Sequence, residues 1–144
     1  MSASVRERGS GCGARLRLML AAALSAVLPG GCGAGCADEV VQHEPSPYGR
    51  GAAMVFVRAC GDAADPSTQV ALVGHVDAEP RKRNVFFIAD TNGGQAPAGP
   101  DGGPRVRVRW IDGNHLEVAH HPRARTLQQE PAHASIRITY VPLP

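Results

Sequence analysis

The sequence predicts an all-β protein: a small antiparallel meander of about six strands, forming a sandwich or a partly open barrel, behind an N-terminal signal peptide. Three observations carry this. Past residue 30, apolar residues recur with period two and not at helical spacing. The apolar runs are short and are separated by turn-forming Gly, Pro, Asn and Asp. A length of 144 residues with 17 Gly and 12 Pro leaves room for one small, loop-rich domain.

Residues 1–31 read as the signal. Arg6, Arg8, Arg15 and Arg17 precede an apolar run from Leu18 to Leu28, and Pro29-Gly30-Gly31 follows it. The run is too short to cross a hydrocarbon core of about 30 Å. Cleavage falls between residues 31 and 37. Gly30-Gly31-Cys32 and Ala34-Gly35-Cys36 both end as a bacterial lipoprotein signal does, although neither has Leu three places before its cysteine. Cys32 is the favoured lipidation site and Cys36 the alternative; ordinary cleavage after Gly35 or Ala37 competes with both.

Residues 32–144 read as the single β-rich domain. A turn or two of helix is the expectation for residues 37–42. A turn at 46–50 leads into the first strand, 52–59. Further strands are expected at 69–76, 84–89 and 105–111. In the last of these Val106, Val108 and Trp110 face one way and Arg105, Arg107 and Arg109 the other. Asp112-Gly113-Asn114 is a tight-turn signal that returns the chain into 115–119, and 135–141 closes the set with Ile136, Ile138 and Tyr140 on one face. Residues 90–104, dense in Gly and Pro, and residues 120–134 read as loops; one as long as the first is usually functional or disordered.

Four cysteines are present, and Cys12 lies in the leader. An odd number in an exported chain is resolved if Cys32 carries a lipid and Cys36 pairs with Cys60. The alternative is a buried free thiol at Cys60.

The charge excludes one class of partner. Without the leader, 11 basic residues stand against 12 acidic ones, so the basic excess belongs to the leader and gives no footprint for nucleic acid. The histidines of the mature chain, His43, His75, His115, His120, His121 and His133, lack any His-Glu-x-x-His or Cys-x-x-Cys spacing, and they read as surface residues without a metal. Cys60 or Ser67 with a histidine and Asp90 is the one nucleophilic arrangement to consider, but no local signature supports it. Asp90, Asp101, Asp112 and Glu117 are the acids from which a glycosidase pair would have to come. No catalytic residue, metal or cofactor is assigned. The arginine row is the most distinctive feature: Arg105, Arg107 and Arg109 could grip anionic groups, or serve only to guard a strand edge.

Several fragments also fall in a familiar order: Ser46-Pro47-Tyr48-Gly49-Arg50, Arg58-Ala59-Cys60-Gly61, Ser67-Thr68-Gln69-Val70, Asn84-Val85-Phe86, Ala89-Asp90, Val106-Arg107-Val108-Arg109-Trp110 and a final Ile-x-Ile-x-Tyr strand. The series resembles an uncharacterised family of small exported bacterial proteins, many with lipoprotein-like signals. The family usually has Ser-Pro-Asp-Gly-Lys where this chain has Tyr48 and Arg50, and Ala-Thr-Thr where it has Asp62-Ala63-Ala64. The resemblance implies export and a β-rich fold, and it carries no mechanism.

The expectation is therefore a non-catalytic binding or structural module of the cell envelope, periplasmic or lipid-anchored. Its partner would be another envelope protein or an anionic envelope polymer, met through loops and the arginine face. Two alternatives come from other classes: an inhibitor of an envelope-directed hydrolase, and a small metal-dependent hydrolase.

Overall fold

The computed structural model describes residues 35–143, apart from 63, 76 and 77. The signal segment, Cys12 and Cys32 lie outside the described residues. Nine strands are found among those described: β1 (Ala37–Pro45), β2 (Ala52–Ala59), β3 (Ser67–Val73), β4 (Val85–Asp90), β5 (Val106–Asp112), β6 (His115–His120), β7 (Arg125–Gln129), β8 (Ala132–His133) and β9 (Ile136–Pro142). They form two sheets, in the order β1-β2-β3-β4-β7 and β5-β6-β9-β8. The all-β expectation holds, as a sandwich and not a closed barrel.

All six expected strands are present, most of them within a residue or two of their expected bounds. Three strands were not foreseen. Residues 37–42 begin β1 and are not helical, because the segment is pulled into register beside β2, with Ala37 opposite Ala59. The second loop contains β7 and β8. The chain is also not a pure meander: β6 and β9 run parallel, with Leu116 opposite Ile138.

The core forms where the alternating faces meet. Ala53 and Val55 of β2, Val70 of β3 and Phe87 and Ala89 of β4 pack against Val106, Val108, Leu116, Val118 and Ile138 of the second sheet. Trp110, Ile136 and Tyr140 pack around this cluster, so β5 and β9 bury the faces their alternation predicts. Phe86 joins Phe87 in the same core despite being its sequence neighbour. A β-bulge explains this: Val70 faces Phe87 and Ala71 faces Val85, leaving Phe86 as the extra residue.

Bulges also mark three of the four sheet edges. Val41 is the extra residue on β1, Ile111 on β5 and Leu127 on β7. All three are exposed apolar side chains, at 43%, 45% and 57%. The fourth edge, β8, is only two residues long. Bulged or short edges resist pairing with another chain.

The β5 edge carries a further device. The Gln42 carboxamide of β1 donates from Nε2 to the Val108 carbonyl at 2.9 Å, and its Oε1 accepts the Val108 N–H at 3.1 Å. One side chain thus supplies both halves of a strand pairing. Two residues on, the Trp110 Nε1–H donates to the Glu44 carbonyl at 3.1 Å. The edges of the two sheets are joined through these three bonds.

A disulfide links Cys36 to Cys60, with the Cα atoms 4.1 Å apart. It closes the β1–β2 pair at the end away from the connecting turn. The 90–104 loop is pinned, not loose. The buried Thr68 hydroxyl donates to the Pro104 carbonyl at 2.6 Å, and Ala98 bridges Pro104. Gly103 has to be glycine there, since a Cβ would collide with the Thr68 hydroxyl.

Leaving the Val108 N–H and C=O unpaired at a half-buried edge costs more than two average hydrogen bonds return. Gln42→Leu, close in size and without the amide, lowers unfolding stability by about 2 kcal/mol, or roughly 10 °C in melting temperature for a domain of this size. Urea denaturation of the two proteins side by side measures it.

Candidate functional site

Three features on the described surface concentrate polar chemistry: the arginine row, a cleft beside Trp110, and a polar ladder across the five-stranded sheet.

Strand alternation places Arg105, Arg107 and Arg109 as expected. All three are exposed while Val106 and Val108 between them are buried. Alternate residues on a strand stand about 7 Å apart. The three are not equivalent. Arg109 donates to Glu117 of β6 at 2.8 Å. Arg105 and Arg107 line a groove of about 350 Å³ with Val41, Gln42, Pro100 and Asp101. Among the described residues neither enters an ion pair. The parallel pairing adds a fourth guanidinium to this face, because exposed Arg137 of β9 lies opposite His115 of β6. It donates to His115 Nδ1 at 3.1 Å, and His115 Nε2 meets the Thr139 hydroxyl at 2.9 Å. Two carboxylates share the face, Glu117 and Asp112, the latter opposite His115 and accepting the Asn114 N–H.

The cleft has a volume of about 780 Å³ and is lined by Tyr48, Arg50, Trp110, Gly113, Asn114 and Ser135 among others. Tyr48 sits in the β1–β2 turn and is 72% exposed. Its ring lies so close to Gly113 that any Cβ there would fall on the Cδ2–Cε2 edge. Across the cleft, the β8–β9 turn holds Ala134 at φ 46° and Ser135 at φ 68°. Both central residues of this two-residue connection are left-handed, a requirement that Asn-Gly usually meets. Left-handed backbone costs a residue with a side chain about 1–2 kcal/mol.

The ladder runs across one end of the five-stranded sheet on the face turned away from the second sheet. Asp38 is opposite Arg58, Arg58 opposite Ser67, Ser67 opposite Asp90, and Asp90 opposite Arg125. Charges of opposite sign therefore meet at both ends of the row. Arg58 donates to both Asp38 oxygens at 2.7 and 2.6 Å. Arg125 grips both oxygens of the buried Asp90, whose Oδ1 also accepts the Asn92 N–H at 2.8 Å. The Arg125 guanidinium holds the Asp90 carboxyl below the usual carboxylate range against the opposing effect of burial, and the Asn92 N–H adds to it.

This geometry bears on the catalytic candidates. Ser67 and Asp90 are indeed brought face to face, but the other flank of Ser67 is Arg58, not a histidine. Cys60 is in the disulfide. Of the four acids considered for glycoside chemistry, Asp90 and Glu117 are held by arginines and Asp112 by a turn amide. The histidines are dispersed. His120 packs on Phe87 with ring centroids 5.2 Å apart, and His133 pairs with Glu130 at 2.8 Å, which lowers the Glu130 pKa. Among the described residues, no three His, Cys, Asp or Glu side chains come together as a metal site would need. Tyr140 donates to the Glu130 carbonyl at 2.6 Å; burial, with the Glu130 carboxylate nearby, pushes its phenol up, so it remains a donor.

No known protein family, curated protein or solved structure matches the chain.

The ladder and the cleft were missed at the sequence level. The ladder had no signal of its own, because it needs the register of five strands. Tyr48 did carry one, as an aromatic in a turn of Ser, Pro and Gly.

Folding lowers the Asp90 pKa, so its stabilisation is complete above the unfolded value of about 4 and is lost as pH falls through the folded value. Asp90→Asn is expected to cost about 1–2 kcal/mol at pH 6, discounted for the 58% exposure of Arg125. The gap between the variant and the unaltered chain closes in urea titrations below pH 4.

Proposed function

We propose that this protein is a non-catalytic binding module of the bacterial cell envelope, exported by residues 1–31 and held to the membrane by a lipid on Cys32. The anionic partner, an envelope polymer or an acidic protein surface, is met by the outer face of the second sheet. The observation that carries this reading is the exposed, regularly spaced row of Arg105, Arg107 and Arg109, extended across the sheet by Arg137. Guanidinium groups suit phosphate and carboxylate because each offers a planar fork of donors. Arg105 and Arg107 do most of the work, since Arg109 is already neutralised by Glu117. The resemblance to small exported bacterial proteins, on the motifs quoted above, fits the same reading.

The engagement of Cys36 in a disulfide supports Cys32 as the lipidated residue, because Cys36 has no free sulfur to offer. It also argues against cleavage after Ala37, which would discard Cys36.

Two measurements test the proposal. The intact mass of the protein expressed with its own leader should fit a diacylglyceryl group on Cys32, with Cys36 and Cys60 alkylated only after reduction. A chain beginning at Asp38 would refute the anchor. For the partner, the unlipidated Cys32→Ser protein should co-sediment with isolated envelope fragments at low salt and be released as screening increases. Arg105→Ser with Arg107→Ser should cut recovery by about fivefold or more, and Arg109→Ser by less than about twofold. Equal recovery of the double variant and the unaltered protein would overturn the arginine face as the contact.

A further inference from the structure

We infer that the cleft bounded by Tyr48, Arg50, Trp110, Asn114 and Ser135 is a second binding site, and that it takes a saccharide bearing a carboxylate. It shares no residue with the arginine row and does not depend on it.

The first argument is preorganisation. Both aromatic side chains are fixed before any ligand arrives, by unrelated means. Trp110 is anchored by its position on β5 and by the bond from Nε1 to the Glu44 carbonyl. Tyr48 stands on a turn closed by two backbone bonds, Gly49 N–H to the Ser46 carbonyl and Ser46 N–H to the Gly51 carbonyl, each 2.9 Å. Its ring is seated on Gly113, where no other residue fits. A tyrosine so constrained and yet 72% exposed adds little to the core. Rigid aromatic area at low entropic cost is what a binding surface uses.

The second argument is strain. Ala134 and Ser135 keep left-handed backbone on the rim of this cleft, where glycine would relieve it. Strain of this kind gathers at ligand-binding positions.

The third argument is the chemistry of the lining. A volume of about 780 Å³ lies within the range of sites for small organic ligands. The walls combine aromatic faces with neutral polar groups, Asn114 and Ser135, both exposed. Among the described residues the one cation lining it is Arg50, which is exposed and belongs to none of the ion pairs found there. No acidic side chain among the described residues lines the cleft. A sugar ring matches this set: its polarised C–H faces meet the negative π face of an aromatic ring, and its hydroxyls meet amide and hydroxyl groups. A carboxylate on the sugar gives Arg50 its planar counter-ion.

Trp110 is the sole tryptophan, so its fluorescence reports directly on this site. The folded protein would be titrated with a galacturonic acid trimer and with maltotriose, a neutral trimer of the same length. The expected result is a saturable change in emission with the acidic trimer, at an affinity at least tenfold above the neutral one. Arg50→Gln should remove that preference. Tyr48→Ala should weaken both sugars, and Tyr48→Phe should restore them. The Arg105→Ser, Arg107→Ser double variant should bind as the unaltered protein does, which separates this site from the arginine face. Absence of a saturable response to either sugar, equal affinity for the two, or an unchanged preference in Arg50→Gln would each overturn the inference. Arg50 is exposed, so that last variant tests the chemistry without disturbing the fold.

Discussion

The sandwich is held shut at one corner by a side chain acting as a piece of backbone. Two twisted sheets that pack face to face leave strand edges, and an edge is a row of N–H and C=O groups with no partner. At β5 this row faces β1 of the other sheet, with which it forms no ladder. Gln42 fills the gap, because a primary carboxamide has the donor and acceptor of a peptide and a flexible stem on which to turn them. Much else follows from it. Trp110 can reach Glu44 only because β1 is held against β5. The arginine row keeps its outward face because Val106 and Val108 are fixed inward. The groove beside Arg105 and Arg107 exists because β1 and the 99–104 segment flank the same edge.

The parts of the fold legible in the sequence are those where burial itself is periodic. β5 and β9 alternate apolar and polar residues because one face of each meets the core and the other meets water. β2 was recognisable for a different reason: six of its eight residues are buried, on both faces, and it reads as an apolar run. β1 gives no such signal. Its first five residues are exposed, and what makes it a strand is pairing with β2 and the tether at Cys36, neither of them a property of its own residues. β7 does alternate, but in Thr126 and Gln128, polar residues whose half-burial is not visible as hydrophobic period. The helical reading of 37–42 and the loop reading of 120–134 failed for these two reasons.

The functional surfaces divide in the same way. A row on one strand, such as Arg105, Arg107 and Arg109, is local and can be read directly. Its extension by Arg137 depends on a parallel pairing that no spacing announces. The opposition of Ser67 and Asp90 was considered from the sequence as part of a catalytic arrangement. The register supplies Arg58 and Arg125 as their neighbours, and two guanidiniums make an electrostatic seam, not a proton relay. Tyr48 becomes meaningful only once Gly113, 65 positions away in the chain, is seen beneath its ring.

The β6–β9 pairing imposes an order of assembly. Between these two strands the chain leaves the second sheet, adds β7 to the edge of the first, and only then returns. β9 has β6 to dock on, and β8 cannot pair until β9 is present. Contacts of this range form late, since loop closure is paid before the pairing returns it. A polypeptide emerging from its N-terminus would carry β1 to β4 as a sheet with an open core face for as long as residues 106–142 were still to come. The core face of the first sheet is thus covered only once β5, β6 and β9 are in place.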